Sequence, residues 1–223
     1  MSVKGKYDID NSKIRVYAAE TSIVFKKNND SFGELSNMSM RFPLNINGIK
    51  VLNTEALYQA CRFPNDIDLQ KRIIFENSPM KVKMISKASA GKSREDWDDV
   101  KLKVMKWCIR VKLAQNFVSF GIVLDRTKSF YIVENSSRDN FWGAIPNKDL
   151  TKYTGQNALG RLLMELREEY RSEKKYRLLE VVKPDILDFK LFGENVDDID
   201  GRSKFLKDLE IYWNNEQMSI FEK

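Results

Sequence analysis

Histidine is absent from all 223 residues, which removes the one side chain whose ordinary pKa lies near neutrality. Proton transfer therefore falls to Asp or Glu, or less often to Lys, Tyr or Cys. Cysteine is nearly absent too: only Cys61 and Cys108 are present. With no histidine beside them they form no credible zinc-ligand set, and neither a metal nor another cofactor is expected. Both sit in helical-looking apolar context, as buried free thiols would. No uninterrupted apolar run approaches the roughly 20 residues of a membrane span, and the opening MSVKGKYDID has no apolar signal core. A membrane partner is not expected, and a reducing cytoplasm is the expected compartment.

What is present fits a globular chain, with 42% apolar and 31% charged residues, long enough for one large domain or a domain with an appendage. The balance of 38 basic against 32 acidic residues gives +6. That suits an anionic ligand but is modest for a dedicated nucleic-acid binder.

Residues 1–13 are polar and expected to be loosely ordered. IRVYAAETSIVF and FPLNINGIKVL read as strands, and Asn47-Gly48 is a hairpin signal because both residues tolerate positive φ. The texture then turns helical. TEALYQACRF, DLQKRIIFENS and PMKVKMISKAS predict three short helices, and the run from Ser93 to Phe117 one long helix. Phe130 to Val133 reads as a buried strand and Asn157 to Arg171 as an amphipathic helix. From about Tyr176 the composition changes, with six acidic residues and one lysine between Pro184 and Asp200. The reading is α+β: a helix-rich single domain with a small β-sheet over residues 25–175. An N-terminal segment with the first strand (1–24) precedes it, and a short C-terminal extension (176–223), a candidate surface for a protein partner, follows.

The densest chemistry lies between Glu134 and Arg167, where Glu134, Asp139, Phe141, Trp142, a Gly143 hinge and the helix start at Asn157 stand close together. Asp139 sits in a turn-like Ser-Ser-Arg-Asp-Asn run, where Asp often bonds its own backbone. Asn157 is a natural N-cap, and that helix start could receive an anion. On the long helix, Arg94, Trp97, Lys101, Met105, Cys108 and Lys112 fall within about 40° of Lys101. Lysines there either snorkel their stems along apolar surface or face phosphate across a cleft wall, with Trp97 against a ring. Glu55 either caps its helix through the dipole or stands in a polar cleft with Gln59 and Arg62 on the same face.

The ordered blocks GELSNM, TEALYQACRF, REDWDDVKLKVMKWCIRVKLAQN, VENSSRDNFWG and GQNALGRLLMELR resemble the NADAR (NAD and ADP-ribose), or YbiA-like, family from about Phe25 to Tyr170. The resemblance implies N-glycosidase activity at a ribose C1′–N bond. The implied substrates are phosphorylated riboflavin-pathway intermediates or ADP-ribose attached to guanine bases, including those of DNA. By position, Glu55 matches the glutamate that the family usually follows with histidine, here Ala56. Trp97 matches the tryptophan of its Asp-Trp-acidic motif, and Asp139 and Trp142 match its acidic-to-Trp-Gly motif. Ile145 departs from a second glycine there. Paired carboxylates suit N-glycoside cleavage, which develops oxocarbenium character while the leaving nitrogen needs a proton. The candidate catalytic residues are Glu55, Asp139 and, for a route through a lysine imine, Lys101. The candidate substrate-binding residues are Trp97, Trp142, Gly143, Arg94, Lys112, Ser36, Asn37, Glu134 and Asn157. A non-catalytic module that binds ADP-ribosylated ligands or nucleic acid is the competing class.

Overall fold

The structure, a computed structural model, describes residues 14–27 and 29–221, with side chains described to Ile211. The polar stretch 1–13 lies outside the described residues. The first apolar run is extended, as its sequence indicates, and a 3-10 turn at Ala19–Thr21 divides it into β1 (Arg15–Ala18) and β2 (Ser22–Phe25). The Ser22 hydroxyl donates to the Ala18 carbonyl at 2.7 Å across that break, and the two halves enter different sheets. The Asn47-Gly48 turn, with φ of 49° and 81°, joins β3 (Leu44–Ile46) to β4 (Ile49–Val51) as an antiparallel hairpin.

Three helices follow, each started by a side chain that accepts a first-turn amide. They are α1 (Thr54–Ala60, capped by Asn53), α2 (Ile67–Ile74, capped by Asp66) and α3 (Pro79–Ala88, capped by Ser78). The central α4 (Trp97–Gln115) starts at Trp97 and not at Ser93, so Arg94 precedes it and does not lie on its stripe. After Asn116 the chain bends by 113° into α5 (Phe117–Arg126).

The parallel pair of β2 with β5 (Tyr131–Glu134) aligns Phe25 with Glu134. Glu134 thus emerges at the carboxyl end of that pair. A separate three-stranded sheet holds β6 (Ile145–Pro146) and β7 (Lys152–Gly155), with β7 central in the antiparallel order β1-β7-β6. Against β5 lies α6 (Ala158–Arg171). A Cβ on Gly160 would meet the Ile132 carbonyl oxygen at 2.1 Å, so this glycine sets how closely α6 approaches the strand.

The fold is α+β and helix-rich, as its sequence indicates, but its strands form several small sheets in place of one. Cys61 and Cys108 are buried free thiols. Residues 176–201 do not stand apart. They form β8 (Glu180–Val181), β9 (Lys190–Leu191), β10 (Glu194–Asn195) and β11 (Ile199–Asp200). Their Leu178, Leu179, Val181, Phe189, Leu191, Val196 and Ile199 are buried in the main core. Phe189 meets the Trp107 ring edge-on at 4.9 Å. The Gln70 amide donates to the Lys190 carbonyl at 3.0 Å and accepts from Phe192 N–H at 2.7 Å. The last element among the described residues is α7 (Arg202–Phe221).

Candidate active site

A cavity of about 450 Å³ opens where α1, α3 and the start of α4 meet the loop after β5. It gathers eight of the twelve candidate site residues: Ser36, Asn37, Glu55, Trp97, Lys101, Glu134, Asp139 and Trp142. The two acids far apart in sequence, Glu55 and Asp139, therefore share one wall-to-wall space.

Glu55 is buried in the first turn of α1, its amide bonded to the Asn37 carbonyl at 2.9 Å. Its Oε1 accepts from the Gln59 amide at 2.8 Å and lies 3.9 Å from Lys83 Nζ. Gln59 is itself oriented by the Ser86 hydroxyl of α3, which donates to Gln59 Oε1. The carboxylate is thus aimed by an amide and a hydroxyl from two helices. Lys83 has its pKa raised by Glu55, against the opposing effect of burial, with Glu134 and Asp139 adding to the rise. In the resting site it therefore carries its proton at neutral pH. Burial pushes the Glu134 carboxyl up to about 7, Lys83 draws it down, and Glu55 and Asp139 push it further up. Glu134 therefore holds its proton to a higher pH than an ordinary carboxyl.

Asp139 has two jobs on one carboxylate. Its Oδ1 accepts from the Phe141 and Trp142 amides, each at 2.9 Å, which is the turn role its sequence context suggests. Its Oδ2 accepts no hydrogen bond from a described residue, and the side chain lines the cavity. Aromatic faces supply the rest: Tyr58 lies 5.1 Å from the Trp97 ring and 5.6 Å from the Trp142 ring. Burial raises the Tyr58 pKa well above its ordinary value, with Glu55 adding to the effect, so its hydroxyl is a donor. Arg62 stands 5.7 Å over Trp97 and donates to the Ser93 hydroxyl at 2.6 Å. Lys101 lines the cavity while paired with Asp98 at 2.6 Å and resting 4.7 Å over the Phe141 ring.

Four expected binding residues lie elsewhere. Arg94 is bound to Asp96 at 2.5 Å and to the Leu187 carbonyl at 2.7 Å, so its charge anchors the C-terminal segment. Lys112 is fully buried and donates to the carbonyls of Glu34 and Ser36 at 2.9 and 3.1 Å, beneath the Phe120 and Phe42 rings at 4.1 and 5.1 Å. Burial pulls its pKa down to about 7. It clamps the turn that presents Ser36 and Asn37, and no phosphate reaches it. Asn157 has φ of 51° and caps nothing with its side chain. Instead it accepts from Glu134 N–H at 3.1 Å and donates to the Ile132 carbonyl at 2.7 Å, tying α6 to β5. The amides at that helix start are already taken: Asn157, Ala158 and Leu159 donate to the carbonyls of Gly143, Phe141 and Trp142. No anion site remains there. Gly143 serves close packing, since a Cβ on it would meet the Glu134 carbonyl oxygen at 2.5 Å.

Sequence reasoning missed Lys83 and Tyr58. Tyr58 was within reach, because it stands three positions after Glu55 and so on the same helix face. Lys83 gives no such signal: its exposed neighbours on α3 make it look like a solvated lysine.

A family model described as the NADAR domain matches residues 24–171. The N-glycosidase YbiA of Escherichia coli is 30% identical over 162 residues, covering 73% of this chain and 96% of that protein. An N-glycosidase of Nostoc punctiforme is 32% identical over 158 residues, covering 68% and 94%. A riboflavin biosynthesis protein of Vibrio vulnificus is 29% identical over 171 residues, 76% of this chain but 44% of that longer protein. The NMR structure of Escherichia coli YbiA superposes with a TM-score of 0.56 at 30% identity, covering 67% of this chain and 84% of that one.

Proposed function

The chain belongs to the NADAR family, and from that membership we propose that it is an N-glycosidase that hydrolyses a ribose C1′–N bond, with ADP-ribose on guanine as its substrate. One observation carries the reading. Glu55, Glu134 and Asp139 surround Lys83 in a cavity walled by Tyr58, Trp97 and Trp142, which is an acid-base set beside surfaces for a base and a sugar.

Glu134 protonates the leaving base nitrogen as the C1′–N bond breaks. Glu55, held by Gln59 and Lys83, faces the positive charge that develops on C1′ and the ring oxygen. Water adds through oxygen to C1′ and loses its proton to Asp139, and solvent exchange returns a proton to Glu134. Arg62, Lys87 and Lys101 take up phosphate charge, and no cofactor enters the scheme.

A second route has its own observation, the 3.9 Å separation of Lys83 Nζ from Glu55 Oε1. If Glu55 takes a proton from Lys83, the free amine attacks C1′, the base leaves protonated, the ring oxygen is released as a hydroxyl, and the imine is hydrolysed by water. Lys83 replaces Lys101 as the first candidate for that role. Borohydride trapping of an adduct lost in Lys83→Ala and kept in Lys101→Ala supports this route; no adduct in the wild type rejects it.

The reaction is tested by offering ADP-ribosylated guanine and a riboflavin-pathway ribosylamine phosphate, and analysing the released sugar phosphates by mass spectrometry. The name of the Vibrio relative favours the second substrate. A protein that binds either compound and leaves both intact is a binding module. The pH dependence tests Glu134. Its acid form is the active one, so kcat/KM is expected to fall as pH rises through about 7, and Glu134→Gln to lower the rate about 10²-fold and remove that limb. A limb that persists in the Gln variant assigns it to another group.

A further inference from the structure

Lys112 is a buried titratable group that the reaction schemes above do not use. It is fully enclosed on α4, makes no ion pair with a described residue, and has the Phe120 and Phe42 rings 4.1 and 5.1 Å from its Nζ. A lysine is costly to keep in such a box, and a methionine would fill it without that cost. What the amine gains there is two acceptors, the carbonyls of Glu34 and Ser36 at 2.9 and 3.1 Å. The charged and the neutral amine both have the two N–H donors that this arrangement needs.

Those carbonyls belong to one turn. The amides of Leu35, Ser36 and Ser39 close it by donating to the carbonyls of Phe32, Gly33 and Ser36. The turn holds two further bonds. The Asn37 side-chain amide donates to Met105 Sδ at 3.0 Å, and Met105 precedes Lys112 by seven residues, hence lies about 20° away on the same face of α4. The Asn37 carbonyl accepts from Glu55 N–H at 2.9 Å. That amide stands in the first turn of α1, where no carbonyl of its own helix can take it. The turn is therefore a spacer. On one side α4 grips it through Lys112 and Met105, and on the other the helix start that carries Glu55 hangs from it.

We propose that Lys112 is a positioning residue for the reaction, which holds Glu55 in place against Lys83 through residues 34–37 although it stands outside the cavity lining. The proposal rests on the N-glycosidase reading for the role of Glu55, and on hydrogen bonds alone for the link between Lys112 and the Glu55 backbone.

Lys112→Met keeps the apolar stem and removes both donors. It is expected to lower kcat about 10- to 100-fold, as a displacement of about 1 Å in a catalytic group can. A double-mutant cycle separates positioning from a plain loss of stability. In a Glu55→Gln background, where the carboxylate is already gone, Lys112→Met is expected to cost less than about threefold. An equal cost in both backgrounds overturns the proposal.

The link is also read without turnover, by amide hydrogen exchange. In the wild type the amides of Leu35, Ser36, Ser39 and Glu55 are expected to open as one unit with a common free energy. In Lys112→Met all four are expected to exchange at least about tenfold faster relative to the amides of β5. A Glu55 amide that exchanges independently of the turn in the wild type overturns the proposal, and this measurement needs no variant to fold. If the wild type cleaves neither an ADP-ribosylated guanine nor a ribosylamine phosphate, the N-glycosidase reading fails, and exchange alone decides whether Lys112 holds the Glu55 backbone.

Discussion

Glu55→Gln is expected to lower kcat by about two to four orders of magnitude, with the melting temperature within a few degrees of wild type. The substitution keeps the shape of a buried side chain and keeps an oxygen for the Gln59 amide, whose donation at 2.8 Å orients it. It removes the negative charge that faces Lys83 and, in the hydrolytic scheme, the developing cation on the ribose. In the imine route it removes the base for the same lysine. Both routes therefore predict a fall in kcat, and the adduct distinguishes them. Asp139→Asn is the informative companion, because an amide oxygen preserves the two loop bonds to Phe141 and Trp142 and deletes only the charge. Turnover on a phosphorylated N-riboside, measured beside thermal melting, decides both. A folded Glu55→Gln protein with wild-type kcat would withdraw Glu55 from the chemistry.

The legible part of this site was the part fixed by local spacing. Glu55 stands one position inside a capped helix, and Asp139 in a turn with Trp142 three residues on. Both positions are set by hydrogen bonds within a few residues of chain. The cations were not legible in the same way. A helical projection puts Lys101 and Lys112 on one stripe, but it does not say which end of the stripe faces the opening. Lys101 lies at the mouth and Lys112 three turns deeper, under Phe42 and Phe120. Arg94 fell off the stripe altogether because α4 begins after it. Lys83 belongs to the site only because α3 packs across α1, a tertiary arrangement with no local signature. The N-terminal run was legible as extended chain, but the Ala19–Thr21 turn that sends its halves to two sheets is a matter of partners.

The largest expected effect on stability comes from the C-terminal segment. A chain ending at Lys175 is expected to show no cooperative melting transition, whereas one ending at Asp208 melts within a few degrees of the full chain. The reason is visible in α4, which is apolar around most of its girth. Two of its sides are covered by α1 and by α5 and α6, and the third, with Trp107, is covered by residues 176–201. Lys103 donates to the Asp185 carbonyl at 2.8 Å on that side, and the Gly201 amide closes onto the Leu179 carbonyl at 2.7 Å. Removing the segment deletes seven buried apolar side chains from the core, each worth about 1.5–3 kcal/mol when fully buried. A whole domain retains only about 5–15 kcal/mol. Relatives that are matched along 96% of their length by 162 residues of this chain show that the family fold exists without so long a continuation. The dependence is therefore written into this chain's own apolar third face of α4. Phe205, which packs on Phe117 at 5.2 Å, is kept in the longer chain, and that is why the stop at Asp208 is tolerated. Calorimetry of the two truncations decides the matter: a cooperative transition in the chain ending at Lys175, near the full-length temperature, would make the segment an appendage after all.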